Sequence, residues 1–328
     1  MRNTVFAVLL IACFVSVAVA ADANKNDTSV ARPDVVAPEG QMAVHPFVHV
    51  AAVEAATKKI FVSDAVNNVV NIYNASGKQI AQLTGFSEPQ GLATDAKGNL
   101  YVADTVNSRI QVYAPPYTKT PKTLSDPGQY PAGVSAFNNG QFVAVSNIIS
   151  TSSGPGSVTI YKNGKAGPTI SNSSFARVYF LAFDKTGNLY VDGSNSSGGV
   201  EVGEIANATK GGKKLVTLTY KNTIEFPGGV EVTTGGKIAI DDQLSFDVYS
   251  YNPPKKGSLG SPVATTPLTG SGDPVTFAFT QTNKDLWTAD ASLADANEFA
   301  YPKGGSSIKS IAVGGQPIGV AVVPAEIP

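Results

Sequence analysis

Short apolar segments alternate with polar turns along most of this chain. In the clearest stretch, apolar residues 92–93 precede a polar turn at residues 95–99, and a second apolar segment follows at residues 100–103. Another polar turn at residues 104–108 leads to residues 109–113, in which apolar and polar side chains alternate. A period of two is typical of β-strands, and glycine with polar residues is typical of turns. The pattern predicts three short strands joined by tight turns.

This unit of short strands recurs along the chain. Residues 181–192 nearly repeat the clearest stretch, and weaker copies occupy residues 50–64, 133–147, 229–241 and 277–290. A third and a fourth strand are predicted after each copy; in the third unit the fourth strand is expected at residues 168–170. The units start at intervals of 42 to 49 residues, at Pro46, Pro89, Pro131, Val178, Pro227, Pro274 and Pro317. Four short strands per interval is the size of one propeller blade, so the sequence predicts an all-β, six-bladed β-propeller of four-stranded blades over residues 46–328.

The last segment of the chain indicates how the ring closes. Seven segments resemble inner strands, although six blades have six inner positions. The last of them, residues 317–323, is followed by no further strand. It must therefore pair with the first unit, where it either completes that blade or adds to its edge. The pattern leaves open whether this segment or the one near Phe47 is the inner strand of the first blade.

The first twenty residues have the pattern of a secretory signal peptide. Arg2 precedes an uncharged apolar run that ends in the sequence AVA at residues 18–20. We expect residues 1–20 to be removed, residues 21–45 to form a flexible linker, and the protein to be secreted or to reach the periplasm or cell envelope. Two alternatives involve a membrane: the run stays as an uncleaved anchor, or Cys13 is lipidated, since LIAC at residues 10–13 is similar to a bacterial lipobox.

Charge and residue counts exclude two classes of function. The chain has 24 Lys and Arg against 25 Asp and Glu, a formal net charge of -1. A nucleic-acid partner requires a basic surface and is therefore not expected. One Cys and two His cannot form a closed zinc site of four such ligands. The sequence also lacks the motifs GxSxG, GxxxxGK[ST] and HExxH, so it identifies no catalytic residue.

The strongest unit is similar to a known repeat. The sequence GNLYVAD at residues 98–104, followed by Asn107, Arg109, Ile110 and Tyr113, resembles an NHL repeat. That family forms ring propellers, often with six blades, and is distantly similar to lactonase-type propellers. NHL propellers include enzymes, ligand binders and scaffolds, so the resemblance implies a fold and leaves the function open.

Polar side chains end the second strand of every unit. An aspartate at this place accepts backbone N–H groups and fixes the following turn, which is the role that we favour for these residues. The alternative is a ring of carboxylates at one channel mouth that holds a hard cation such as Ca²⁺. The candidate ligands are Asp64, Asp104, Asp192, Asp241 and Asp290, with Asn147 in the remaining unit.

The lactonase-type resemblance implies a different metal site. In that family the ligands are a Glu on the first blade and Asn and Asp residues at the starts of other inner strands. Here only Glu88 and Asp273 offer carboxylates near such starts, so the expected ligand set is incomplete. We therefore expect no cofactor, with Ca²⁺ as the alternative. The single Trp287 occupies a second-strand position and is interpreted as a core residue.

These observations favour an exported, non-catalytic propeller that binds a protein, a glycan or a small ligand on one face. Gly/Ser-rich insertions at residues 150–156 and 193–199 lengthen two loops that are suited to such contacts. The first alternative is a metal-dependent hydrolase or lyase of the lactonase type. The second is a structural component of the cell envelope, tethered through Cys13.

Overall fold

Strands account for almost all regular structure in the computed structural model, which describes residues 58–324. Within that range there are 26 strands and a single short 3-10 helix, Ala208–Lys210. No helix among these residues has the length and apolarity needed to cross a membrane. The expected signal peptide, the linker, Cys13 and the strand-like segment near Phe47 lie outside the described residues.

The strands form six sheets, and each sheet is one blade. From the inner to the outer strand, the first three blades are: blade 1, β26 (Pro317–Val323), β1 (Lys59–Asp64), β2 (Val69–Asn74) and β3 (Gln79–Leu83); blade 2, β4 (Pro89–Thr94), β5 (Leu100–Asp104), β6 (Arg109–Tyr113) and β7 (Lys122–Ser125); blade 3, β8 (Gln129–Phe137), β9 (Phe142–Ser150), β10 (Ser157–Lys162) and β11 (Lys165–Ala166).

The other three blades have the same order, and two of them gain a fifth strand. They are: blade 4, β12 (Arg177–Phe183), β13 (Leu189–Ser194), β14 (Val200–Ile205), β15 (Leu215–Tyr220) and β19 (Ser258–Gly260); blade 5, β16 (Pro227–Val232), β17 (Ile238–Asp242), β18 (Asp247–Tyr251), β20 (Ala264–Thr269) and β24 (Gly305–Ser306); blade 6, β21 (Pro274–Phe279), β22 (Asp285–Asp290), β23 (Asp295–Ala300) and β25 (Lys309–Ala312). The predicted six-bladed propeller is therefore confirmed.

The C-terminal strand closes the ring from the inside. β26 pairs antiparallel with β1, with Val322 opposite Ile60 and Val320 opposite Val62. It also contacts the inner strands of both neighbouring blades, β21 and β4. The prediction that this segment pairs with the first unit is confirmed, and it completes the blade rather than adding to its edge.

The outer strands differ from the predicted pattern. β19 and β24 each come from the blade that follows in sequence and pair in parallel with the outer strand of the preceding blade, β15 and β20. In blade 3 the outer strand is β11, not residues 168–170, which contribute only an isolated bridge from Ile170 to Val158. Asn163 and Gly164 have φ values of 51° and 79°, which suits the two-residue hairpin turn between β10 and β11.

Apolar side chains pack between neighbouring blades. Trp287 of blade 6 is fully buried against Ile60 and Val320 of blade 1, which confirms it as a core residue. The inner strands also approach one another closely: a side chain on Gly91 would meet the carbonyl oxygen of Ala132, and one on Gly319 would meet that of Gln90. This approach leaves a central cavity of only about 20 Å³, enough for roughly one water molecule.

Candidate functional site

One face of the propeller carries the turns between second and third strands. Pro89, at the start of an inner strand, lies opposite Asp104, at the end of a second strand. Pro317 and Pro274 lie opposite Asp64 and Asp290 in the same way. The starts of the inner strands and the turns after the second strands therefore share one end of the blades. We call this end the turn face.

The aspartates at the turn face hold their own turns. Buried Asp104 accepts hydrogen bonds from the backbone N–H of Ser87 at 2.7 Å and from Nε of Arg109 at 2.6 Å, as well as from the Asn107 amide. Asp64 accepts from the backbone N–H of Asn67 at 3.1 Å. Asp290 accepts in the same way from Gly272, Asp273 and Leu293. These contacts are the turn-fixing role that the sequence favoured.

Two members of the predicted ring occupy a different position. Val102 lies opposite Leu92 in blade 2, and the equivalent pairs are Val191 with Leu181 and Ile240 with Val230. Asp104 lies two residues after Val102, whereas Asp192 and Asp241 lie only one residue after Val191 and Ile240. Asp192 and Asp241 are therefore not equivalent to Asp104. Because successive side chains point to opposite faces of a sheet, the prediction of one equivalent ring is wrong for these two residues.

The true equivalents in blades 4 and 5 are the next residues, Gly193 and Asp242. Asp242 lies opposite Pro227 and accepts from the backbone N–H groups of Glu225 and Phe226 at 3.0 and 3.1 Å. In blade 3 the equivalent is Asn147, opposite Pro131, as predicted. Its amide donates to the hydroxyl groups of Ser157 and Thr159.

Asp192 and Asp241 are both fully buried. Oδ1 of Asp192 accepts a hydrogen bond from the backbone N–H of Phe180 at 2.9 Å, and its Oδ2 has no partner among residues 58–324. Neither carboxyl oxygen of Asp241 has a hydrogen-bond partner within the described residues. Burial raises the pKa of both carboxyl groups well above the usual range of aspartate, and neighbouring acidic groups add to this effect at Asp241.

The carboxylates do not assemble into a metal-binding set. In the described part of the chain, no three Asp, Glu, His or Cys side chains come together in an arrangement that could hold a metal ion. Glu88 and Asp273 precede the inner strands of blades 2 and 6, so blade 1 separates them. Burial, together with the charge of Asp290, raises the pKa of Asp273 to about 7.

The turn face exposes apolar side chains that sequence reasoning missed. Val66 is 63% exposed, Val106 is 44% exposed and Leu293 is 48% exposed. They lie in the turns that follow Asp64, Asp104 and Asp290, on blades 1, 2 and 6, which are neighbours in the ring. We call these three residues the apolar tips. The available signal was an apolar residue inside an otherwise polar turn, two residues after the aspartate in blades 1 and 2.

The predicted long loops lie on the same face. In blade 3, β9 extends to Ser150, so the loop occupies residues 151–156, and the Ser150 hydroxyl accepts from the N–H of Gly154 at 2.8 Å. In blade 4, the loop after β13 is held by Asn195, whose side chain accepts from the N–H groups of Ser197 and Gly199. The turn face is therefore polar on blades 3 and 4 and apolar on blades 6, 1 and 2.

The opposite face carries a shallow cleft between blades 5 and 6. Its volume is about 200 Å³, and it is lined by Thr233, Gly235, Lys237, Ala264, Asn283, Tyr301 and Pro302. Asn283 accepts hydrogen bonds from the backbone and hydroxyl groups of Thr234, which links the turns of the two blades. The cleft is smaller than the 300–1,000 Å³ that is common for small-molecule sites.

Comparisons with known proteins agree with this fold. A profile of the NHL repeat matches residues 86–113, which cover the inner three strands of blade 2. No curated protein matches the chain. A chain of the crystal structure of a nidogen/laminin complex superposes with a TM-score of 0.66 at 13% identity, covering 82% of this chain and 99% of that one.

Two further structures are similar at comparable levels. A protein of unknown function from Bacteroides caccae gives a TM-score of 0.61 at 12% identity, covering 81% of this chain and 98% of that one. Hydrazine synthase from Kuenenia stuttgartiensis gives 0.60 at 14% identity, covering 86% and 92%. At such identities the likeness concerns the fold alone. The chain is a six-bladed β-propeller that carries an NHL repeat in its second blade.

Proposed function

We propose that this chain is an exported, non-catalytic propeller that binds a protein partner through the apolar tips of its turn face. The main observation that supports this proposal is the exposure of Val66, Val106 and Leu293 on three adjacent blades. Apolar side chains that share one exposed face are a feature of protein-binding surfaces. Exposure of these apolar side chains to water does not stabilise the propeller itself.

The rigidity of the turns supports this proposal. Each apolar tip lies between the aspartate that fixes its turn and a residue with positive φ: Asn68 at 58°, Ser108 at 51° and Ala294 at 55°. Side chains on turns of fixed geometry lose little conformational freedom on binding, which favours affinity. The contacts of Asp64, Asp104 and Asp290 thus serve binding as well as folding.

A protein is a better candidate than a glycan or a small ligand. The tips project from separate blades, which matches a broad, flat partner, and the central cavity of about 20 Å³ has no space for an organic ligand. NHL propellers generally mediate protein interactions, and one structural neighbour comes from a nidogen/laminin complex. Export rests on the apolar N-terminus that ends in AVA at residues 18–20.

The proposal is tested by capture with matched variants. The full chain, expressed with its N-terminus, is used to capture exported proteins of its source by cross-linking, and the captured protein is then purified and titrated. One triple variant carries Val66→Ser, Val106→Ser and Leu293→Ser. The control carries Val216→Ser, Val263→Ser and Ile308→Ser, which change the other large exposed apolar residues of the described range.

We expect the tip variant to weaken binding about 100-fold, from the loss of roughly 1 kcal/mol of apolar contact at each residue, and the control to change it less than twofold. Equal affinity of the two variants would contradict the proposed surface. Binding of a glycan with no protein partner, or hydrolysis of lactones that depends on a divalent metal, would contradict the proposed function.

A further inference from the structure

In each blade, one residue of the second strand lies opposite the proline near the start of the inner strand, or opposite the equivalent residue, as Asp104 lies opposite Pro89, and we call its place the turn position. The residue just before it faces the next blade. We call this place the pre-turn position. It is defined by the register of the second strand with the inner strand, and the second strand of each blade contacts the inner strand of the blade that follows. Its occupants, from blade 1 to blade 6, are Ser63, Ala103, Ser146, Asp192, Asp241 and Ala289.

The two serines bridge neighbouring blades. The Ser63 hydroxyl accepts from the N–H of Gly319 in its own blade at 2.7 Å and donates to the carbonyl oxygen of Gln90 in the next blade at 2.6 Å. Ser146 accepts from Gly133 at 2.8 Å and donates to the carbonyl of Tyr179 at 2.5 Å. Each hydroxyl thus acts as acceptor within its blade and as donor to the next.

Hydroxyl groups also bridge the two boundaries where the pre-turn residue is alanine. Thr105 of blade 2 donates to the carbonyl oxygen of Pro131 in blade 3 at 2.7 Å. Thr276 of blade 6 donates to the carbonyl oxygen of Ile318 in blade 1 at 2.8 Å. At four of the six boundaries, a hydroxyl group therefore donates to a backbone carbonyl oxygen of the next inner strand. At the boundaries from blade 4 to 5 and from blade 5 to 6, the pre-turn position carries a carboxyl group.

Asp192 makes the hydrogen bond within its own blade that the serines make, but no described donor bond to the next blade. Its Oδ1 accepts from the N–H of Phe180, which is equivalent to Gly133 of blade 3. Its strand, β13, contacts the inner strand β16 of blade 5, and its Oδ2 has no partner within the described residues. An ionised carboxylate only accepts hydrogen bonds, whereas a carboxylic acid also donates one. A protonated Asp192 would supply the missing donor.

Asp241 occupies the same position one blade later. Its carboxyl group lies beside Gly228 of its own inner strand, and β17 contacts the inner strand β21 of blade 6. The acidic groups that act on it are Asp242 on its own strand, Asp273 before β21, Asp290 at the end of β22 and Asp192 on β13. Neither of the two ion pairs formed between residues 58–324 includes Asp192 or Asp241.

Other charged and titratable groups lie on the neighbouring strands. Arg177 and Tyr179 are on β12, opposite or beside the end of β13, and Glu231 is on β16. Tyr220 on β15 is influenced by both Asp192 and Asp242. Burial raises the pKa of Asp192 and dominates over the backbone hydrogen bonds from Phe180 and from Asp192 itself, which lower it. An uncompensated charge at either position would be strongly unfavourable.

We propose that Asp192 and Asp241 are held as neutral carboxylic acids that donate their O–H groups to the inner strands of blades 5 and 6. These two protonated groups make the propeller more stable in acidic than in alkaline surroundings. The proton takes the place that a serine or threonine hydroxyl has at the other boundaries. Deprotonation removes two donors, leaves two buried negative charges, and places the charge of Asp241 near Asp242, Asp273 and Asp290.

The direction of the pH dependence follows from proton linkage. Below the pKa of an aspartate in the unfolded chain, about 4, both states hold the proton and the stabilisation is fully present. As the pH rises through the higher pKa of the folded state, the stabilisation is lost. The folded protein therefore retains protons that the unfolded chain releases.

The test compares thermal unfolding of the full chain between pH 5 and pH 8. The double variant Asp192→Asn, Asp241→Asn keeps an N–H donor at each position and cannot ionise. We expect the wild type to lose about 5 °C or more of Tm from pH 5 to pH 8, and the double variant to lose much less. The control is Asp184→Asn, in a turn on the opposite face, where hydrogen bonds from Thr186 and Asn188 lower the pKa; it should keep the wild-type slope.

A second measurement does not depend on variant folding. Infrared difference spectra of the wild type should contain the C=O stretch of protonated carboxyl groups at pH 7, and this band should disappear on unfolding. Absence of that band, or a Tm that rises toward pH 8, would overturn the proposal. Stabilisation of the wild type by Ca²⁺ that is lost in the double variant would also overturn it, because a cation would then occupy the position of the protons.

Discussion

Oδ1 of Asp64 accepts a hydrogen bond of 3.0 Å from the backbone N–H of Gln316, a residue 252 positions away in sequence. Asp64 ends the first described strand, and Gln316 precedes the last one. The next residue, Pro317, lies opposite Asp64 in the sheet. One buried carboxylate thus fixes a turn of blade 1 and the entry of the strand that closes the ring.

Removal of the closing strand should destabilise the entire propeller. A chain ending at Gln316 loses the buried apolar side chains of β26 and exposes the edge of β1, which favours aggregation. We expect a large loss of Tm in one cooperative transition and aggregation during expression. A chain ending at Pro324 keeps β26 and is the control. If both truncated chains melt like the full chain, the account of closure is wrong.

Close approach of inner strands should make Gly91 sensitive to substitution. The Cβ of Gly91→Ala would meet the carbonyl oxygen of Ala132 in the next blade, so the inner strands must move apart. We expect a loss of about 2 kcal/mol or more in the free energy of unfolding, measured by denaturant titration. Gly235→Ala, in an open turn, is the control and should change stability by less than about 0.5 kcal/mol.

Calcium should not stabilise the propeller through its turn aspartates. Asp104 already accepts hydrogen bonds from Ser87, Asn107 and Arg109, so its oxygens are not available as cation ligands. We expect the same Tm in calcium and in a chelator. A rise of several degrees in calcium that Asp104→Ala abolishes would mean that the turn-fixing role of Asp104 is incomplete.

The N-terminus should be removed on export. The apolar run that ends in AVA at residues 18–20 predicts cleavage after Ala20. Intact-mass analysis of exported protein should therefore give a chain that starts at Ala21. A retained Met1 would favour the membrane anchor, and a chain that starts at a diacylated Cys13 would favour the lipoprotein alternative.

The fold was predictable because its information is local and repeated. Strand–turn–strand units such as residues 92–104 have a clear period of two, and the regular spacing of these units gives the number of blades. The inner place of β26 was not predictable, because it depends on competition between two distant segments for one position. The strands β19 and β24 were missed because two or three residues that pair with another blade leave no periodic pattern.

The site was harder to predict than the fold. Asp192 and Asp241 were aligned with Asp104 because each is the first acidic residue after an apolar strand. The inner strand decides the register, and Gly193 and Asp242 take the turn position instead. A displacement of one residue reverses the side of the sheet, which separates a turn-fixing carboxylate from one that faces the next blade. The local signal of an apolar tip is one apolar residue inside a polar turn, but the arrangement of the three tips on adjacent blades depends on the whole ring.

The most direct test of the binding proposal is hydrogen–deuterium exchange of the chain with and without its purified protein partner. The account predicts slower exchange in the complex at residues 65–68, 105–108 and 291–294, which hold Val66, Val106 and Leu293 on adjacent blades. Residues 233–237 and Asn283, beside the cleft on the opposite face, should exchange at the same rate in both states. Protection at that cleft, with unchanged exchange at the three turns, would contradict the account.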